Sequence, residues 1–188
     1  MNGIVLREAN AAVEREAAKR GLPLRLAAVP ALAFERSLIV GAGVEVPWTL
    51  VAAGFGFLAR WEAAAPLAGP LASQLGDEAE RARTAVVVGD LRLPVYASEL
   101  LFLRQSAAAE ELLACWQAQG ATGGDERLAL LRALHLVKPL FLALPPTWLV
   151  APADGTLVTV QIGPRKFVRC RAEEAATYLT RYQGAGRG

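Results

Sequence analysis

Short apolar runs alternate along this chain with longer stretches of helical period. Over residues 3–20, Leu6, Ala9, Val13 and Ala17 recur at helical spacing while Arg7, Glu8, Glu14, Arg15 and Lys19 take the other sides. That pattern predicts one helix, ended by Gly21 and Pro23. Residues 22–29 predict a strand. Residues 38–40 predict a second, buried on both faces because its apolar positions do not alternate. Pro47 is placed to start a helix running to about residue 60, with Leu50, Gly54, Phe57 and Leu58 on one face. Residues 62–66 predict a short strand, 69–84 a polar, turn-rich excursion, and 84–88 and 100–103 two further strands.

In the second half, Ser106 caps a predicted helix whose inner face is Ala109, Leu112, Leu113 and Trp116. A glycine-rich break at 120–124 follows, and Asp125 is placed to cap the next helix, which runs to about residue 137. Residues 141–144 predict a strand ended by Pro145 and Pro146. The tail changes style. Asp154-Gly155 is a hairpin signal between 148–150 and 157–162, Gly163-Pro164 a second turn, 166–170 a further strand and 172–182 a closing helix. The whole predicts an α/β fold: a mixed, mostly parallel sheet flanked by helices, with a small antiparallel C-terminal hairpin and a terminal helix. Residues 1–150 form the α/β domain in this reading, and 151–188 pack on it. There is no internal repeat.

Composition agrees with a folded chain. Of 188 residues 54% are apolar and 20% charged, enough for a sizeable core. A net charge of +2 without any Lys/Arg-rich run argues against a nucleic-acid partner. Only Lys19, Lys138 and Lys166 are lysines, an arginine bias that points to a GC-rich genome. The mean hydropathy of +0.31 raises the question of a membrane. The longest uncharged stretches, 46–59 and 139–153, fall short of the roughly 18–20 residues a span requires, and the second is interrupted by prolines. The first 21 residues carry acidic side chains and no continuous apolar core, so they do not read as a signal peptide. Cys115 and Cys170 have no metal-like spacing; Cys115 lies among Leu112, Leu113 and Trp116 and reads as a buried free thiol. A cytoplasmic location is the expectation.

Candidate chemistry is sparse. Gly41-Ala42-Gly43 follows an apolar run, but the third glycine of a dinucleotide fingerprint is replaced by Val46, which leaves a tight turn at a strand end. His135, the only histidine, sits in a helix lined by Leu128, Leu131, Leu134 and Val137 and reads as structural. Asp125 and Glu126 follow a glycine-rich turn at a helix start, where the helix dipole favours carboxylates and an ordinary cap explains them. Glu99 beside a buried strand, and Asp90 in a Gly-Asp turn, could serve as base or ligand; solvent exposure explains them equally well.

Three segments taken together resemble GT-A-fold glycosyltransferases that use nucleotide-diphospho-sugars. Phe34-Glu35-Arg36-Ser37-Leu38-Ile39-Val40-Gly41-Ala42-Gly43, with the helix and the Ala63-Ala64-Ala65 strand after it, is similar to the family's Phe-Glu-Arg-Thr-Leu-Phe-Leu-Asp-x-Asp-Thr region. Residues 91–117, with Pro94 and the Phe102-Leu103-Arg104-Gln105-Ser106 run, resemble its Pro-x-x-Asn-x-Gly segment and following helix. Asp125-Glu126-Arg127-Leu128 and Leu144-Pro145-Pro146-Thr147-Trp148 are similar to its Asp-Gln-x-x-Leu helix and Leu-Pro-Pro turn. The likeness covers roughly residues 33–70 and 91–150.

In that family the Asp-x-Asp pair holds a divalent cation that neutralises the leaving diphosphate. Here Gly41 and Gly43 occupy those positions and supply no carboxylate oxygen. Glu45, two residues on, is a partial substitute if the register shifts. Ala97 and Glu99 stand for the family's Asn and Gly, and Ile162 for a metal-binding His; Asp125 keeps its identity. The base-cradling strand–helix unit is missing or cut down in this reading, since the first 21 residues read as one helix. The resemblance therefore implies no metal cofactor, and as partner either a nucleotide-sugar, touched at Gly41, Gly43, Glu45 and Arg104, or another protein. Two functions follow. One is a domain that has lost transfer and acts in binding or assembly, with Trp48, Phe55 and Trp61 as a candidate apolar patch. The other is a metal-independent transferase in which Arg36, Arg104 or Arg165 converge on the diphosphate and Asp125 or Glu99 is the base.

Overall fold

The computed structural model describes residues 1–121, 123–149, 157–163 and 166–171. The chain opens with a strand, β1 (Asn2–Leu6), which corrects the single helix expected over 3–20. Ile4, Val5 and Leu6 are buried between two parallel neighbours, β2 (Leu24–Leu26) and β3 (Arg36–Val40). Helix α1 (Ala11–Lys19) starts only at Asn10, whose Oδ1 accepts the N–H groups of Ala12 and Val13, and it buries Val13 and Ala17 alone. The helical spacing counted from Leu6 had joined a strand residue to two helix residues. The N-terminal strand–helix unit expected to be missing is thus present.

The remaining elements are α2 (Trp48–Phe57), β4 (Ala63–Leu71), α3 (Glu78–Val88), β5 (Pro94–Tyr96), β6 (Leu100–Arg104), α4 (Ala107–Gly120), α5 (Glu126–Val137) and β7 (Phe141–Leu144). The sheet runs β2-β1-β3-β6-β4-β5, with β7 parallel beside β4. Strands β1, β2, β3, β4 and β7 share one direction, while β6 opposes β3 and β4, and β5 opposes β4. The sheet is mixed and mostly parallel, as expected.

Apolar strands buried on both faces need a layer on each. Ile4, Leu6, Leu38, Val40 and Phe102 face α1, α2 and Trp148; Val5, Ile39, Leu101 and Leu103 face α4 and α5. Phe102 is wedged edge-on between Phe55 and Trp148, at ring separations of 5.8 Å each, and Gly54 lets α2 close onto it. Phe55 belongs to the core and Trp48 and Trp61 pack partly against it, so the expected patch of the three is not a surface feature. The exposed apolar side chains are elsewhere, among them Leu26, Val29, Val86, Leu136 and Leu140.

Residues 69–88 differ most from expectation. Where the pattern predicts an excursion and then a strand at 84–88, the chain finishes β4, makes a 3-10 turn (Ala72–Gln74) and forms α3. Asp77 caps α3 through the Glu80 N–H, and Gly89 ends it at φ +78°. Its buried positions are Glu80, Thr84 and Val88, so no apolar stripe marks the inner face. Glu80 instead meets Arg132 of α5 at 2.7 Å and also pairs with Arg83; Arg132 in turn donates to Thr84 Oγ1 and to both oxygens of Gln119.

Trp148, expected in a strand, closes a 3-10 turn (Pro146–Trp148) and is buried. The hairpin pairs β8 (Leu157–Gly163) with β9 (Lys166–Arg171). Asp154-Gly155, Arg165 and the helix expected over 172–182 lie outside the described residues. No described helix is long and apolar enough to cross a membrane.

Candidate functional site

Because β6 runs against β3, its beginning lies at the end of β3. The Gly41 N–H donates to the Glu99 carbonyl at 2.8 Å. A Cβ on Gly41 would stand 3.0 Å from Glu99 Cα and 3.2 Å from its Cβ. The space that a side chain at position 41 would need is taken by Glu99. The carboxylate of Glu99 accepts from Arg127 at Nη2 (2.6 Å) and Nε (3.1 Å), and Ser98 Oγ donates to its other oxygen at 3.4 Å.

Arg127 is delivered by the first turn of α5. Asp125 caps that turn, its Oδ1 accepting the N–H groups of Arg127 (2.9 Å) and Leu128 (3.2 Å). Beside it, Glu126 receives both terminal nitrogens of Arg7, the residue after β1, at 2.5 and 2.7 Å. These hydrogen bonds raise the Arg7 pKa, against burial, and hold the Glu126 carboxyl below its ordinary range. The Arg7 guanidinium lies over the Trp116 ring, 5.8 Å from its centre, and Trp116 Nε1 donates to the Glu126 carbonyl at 3.2 Å. Arg7 Nε is buried with no hydrogen-bond partner among the described residues. A cleft of about 300 Å³ opens beside the pair, walled by Arg7, Val29, Pro30, Trp116, Gln117 and Glu126.

Of the expected residues, Gly41 and Glu99 are therefore in contact, and Asp125 caps the helix whose Arg127 reaches Glu99. Gly43 is exposed at φ +66°, in the turn after β3. Glu45 is exposed and lines a separate crevice of about 450 Å³ with Asn10, Glu16 and Trp48. Arg104 is not part of the group. It pairs in register with Arg36 at the other end of the β3/β6 ladder, five residues or roughly 16 Å along the strand from Glu99. Arg36 points its guanidinium at the Phe55 carbonyl, 3.3 Å away.

Among the described residues, the expected positions supply few free oxygens for a metal. Hard divalent cations need several converging oxygens. Here Gly41 offers none, Glu99 and Glu126 are paired with arginines, and Asp125 caps a helix through one of its oxygens. Among the described residues no group of three or more His, Cys, Asp or Glu side chains is arranged as a ligand set. Sequence reasoning missed Arg7 and Arg127. The one available signal was an arginine closing the apolar run Ile4-Val5-Leu6, and it is informative only once that run is taken as a strand.

No family model matches the chain, and no curated protein matches it. A crystal structure from Desulfovibrio desulfuricans G20, described as a "putative nucleotide-diphospho-sugar transferase", is similar at 12% identity with a TM-score of 0.41. The match covers 77% of this chain and 58% of that one, so this chain spans less than two thirds of the neighbour's length. A likeness of that size carries nothing about activity.

Proposed function

We propose that this is a glycosyltransferase-like α/β domain whose strand-tip metal site has been replaced by internally paired charges, and that it acts in binding or assembly, not in metal-dependent sugar transfer. The observation that carries this reading is the exchange at the tips of β3 and β6. Position 41 has no side chain, the backbone and stem of Glu99 crowd the space beside it, and Arg127 takes the Glu99 carboxylate. A cation arriving there would have to break the Glu99–Arg127 pair and would find one carboxylate where two or more are needed.

Calorimetric titration with UDP, GDP and their sugars, with and without Mn²⁺, tests it. The expected result is no binding that depends on Mn²⁺; Mn²⁺-dependent binding or sugar release would overturn it. The second reading, a metal-independent transferase, draws on Arg7 and Arg127 at the same edge. Sugar release in metal-free buffer, lost in Arg7→Met, would favour it.

A further inference from the structure

Arg7 and Glu126 are unequal partners. The Arg7 side chain is 20% exposed and fixed against Trp116, whereas the Glu126 side chain is 50% exposed. The backbone of Glu126 is anchored by the Trp116 indole at its carbonyl, so its side chain can leave without α5 moving. The two terminal nitrogens of Arg7 hold the carboxylate side by side, the fork that a guanidinium offers to any oxyanion of matching spacing. Both residues wall the same 300 Å³ cleft, so the pair borders open space of small-ligand size instead of packed protein. The other acidic groups felt by Arg7 are Glu8, next in sequence, and Glu99, which Arg127 already engages.

We propose that Glu126 is the internal occupant of an oxyanion site. Its carboxylate fills the Arg7 fork until a phosphate-class anion in the cleft displaces it and Glu126 turns to solvent. This rests on the preceding reading of the strand-tip edge as one that binds without a metal.

The test is calorimetric titration with inorganic pyrophosphate, in metal-free buffer at fixed ionic strength. Glu126→Gln binds at least about tenfold tighter than wild type. Glu126→Asp, whose shorter side chain falls back from the fork, shifts affinity the same way, and adding Arg7→Met to Glu126→Gln removes the gain. Glu8→Gln makes the same charge change next to Arg7 without opening the fork and gives no comparable gain. Equal pyrophosphate affinity in wild type and Glu126→Gln would overturn the proposal. So would an equal gain in Glu8→Gln, which would reduce the effect to net charge. Mn²⁺-dependent nucleotide-sugar binding by wild type would count against the metal-free reading alone, and an unchanged pyrophosphate affinity in Glu126→Gln against this gate alone.

Discussion

Gly41→Ala asks whether Glu99 has taken the space at the tip of β3. Gly41 does not have a positive φ, so its backbone imposes no need for glycine. With that conflict absent, alanine would ordinarily stabilise by about 0.4–1 kcal/mol through the unfolded chain. Against this, the new Cβ meets Glu99 Cα at 3.0 Å, its Cβ at 3.2 Å and its Cγ at 3.5 Å. The nearest of these is a backbone atom. It is tied by the 2.8 Å hydrogen bond between residues 41 and 99 and by the Val40–Leu100 pair of the ladder, so it cannot rotate aside. Overpacking of this kind costs about 1–3 kcal/mol and outweighs the gain. The net expectation is a loss of about 1 kcal/mol, or roughly 2–4 °C in melting temperature for a chain of this size. Urea unfolding would show it as a lower midpoint at an unchanged slope. Glu99→Gly removes two of the three crowding atoms, so the double substitution should cost less than the sum of the singles by about 0.5–1 kcal/mol. A neutral or stabilising Gly41→Ala, or strict additivity, would refute the claim that the two positions compete for one space.

Three other outcomes are expected. Glu80→Ala leaves the buried Arg132 without its counter-charge and should cost about 3–5 kcal/mol by urea unfolding, most of it recovered in Glu80→Leu/Arg132→Met. Asp125→Ala should remove only a helix cap, about 0.5–2 kcal/mol, with pyrophosphate affinity unchanged; lost affinity at intact fold would give Asp125 a part in binding. Arg7 holds Glu126 below the ordinary carboxyl value of 4.5, so the stability this pair contributes is present above that value and is lost as pH falls through the lowered one. Thermal melts of wild type should therefore fall more steeply below that pH than those of Glu126→Gln, modestly because Glu126 is half exposed.

Much of the fold was legible because burial and period agreed. Leu38-Ile39-Val40 is apolar at every position and is buried on both faces; Ser106 and Asp125 cap the helices that their side-chain chemistry suits. Residues 1–20 misled because Leu6, the last residue of β1, falls in helical phase with Val13 and Ala17 of α1. Helix α3 was invisible because its inner face carries Glu80 and Thr84, whose burial is intelligible only beside Arg132. Of the strand-tip group, Gly41, Glu99 and Asp125 could be singled out in the sequence, and their arginine companions could not. Arg7 and Glu126 are 119 positions apart and Glu99 and Arg127 are 28 apart, and no local spacing rule reaches across such distances. Arg104 was misplaced for the converse reason: proximity to Glu99 in sequence puts it at the far end of an extended strand.

A helix whose inward side carries a carboxylate is not self-sufficient. Glu80 and Thr84 find their shared partner 52 and 48 residues further along the chain, on α5. In a chain that stops short of that partner, α3 offers a charge where a core should be, and the helix it packs against is absent. Residues 78–88 are then a dependant of α5, and damage to α5 far from this segment should first be seen as the detachment of α3.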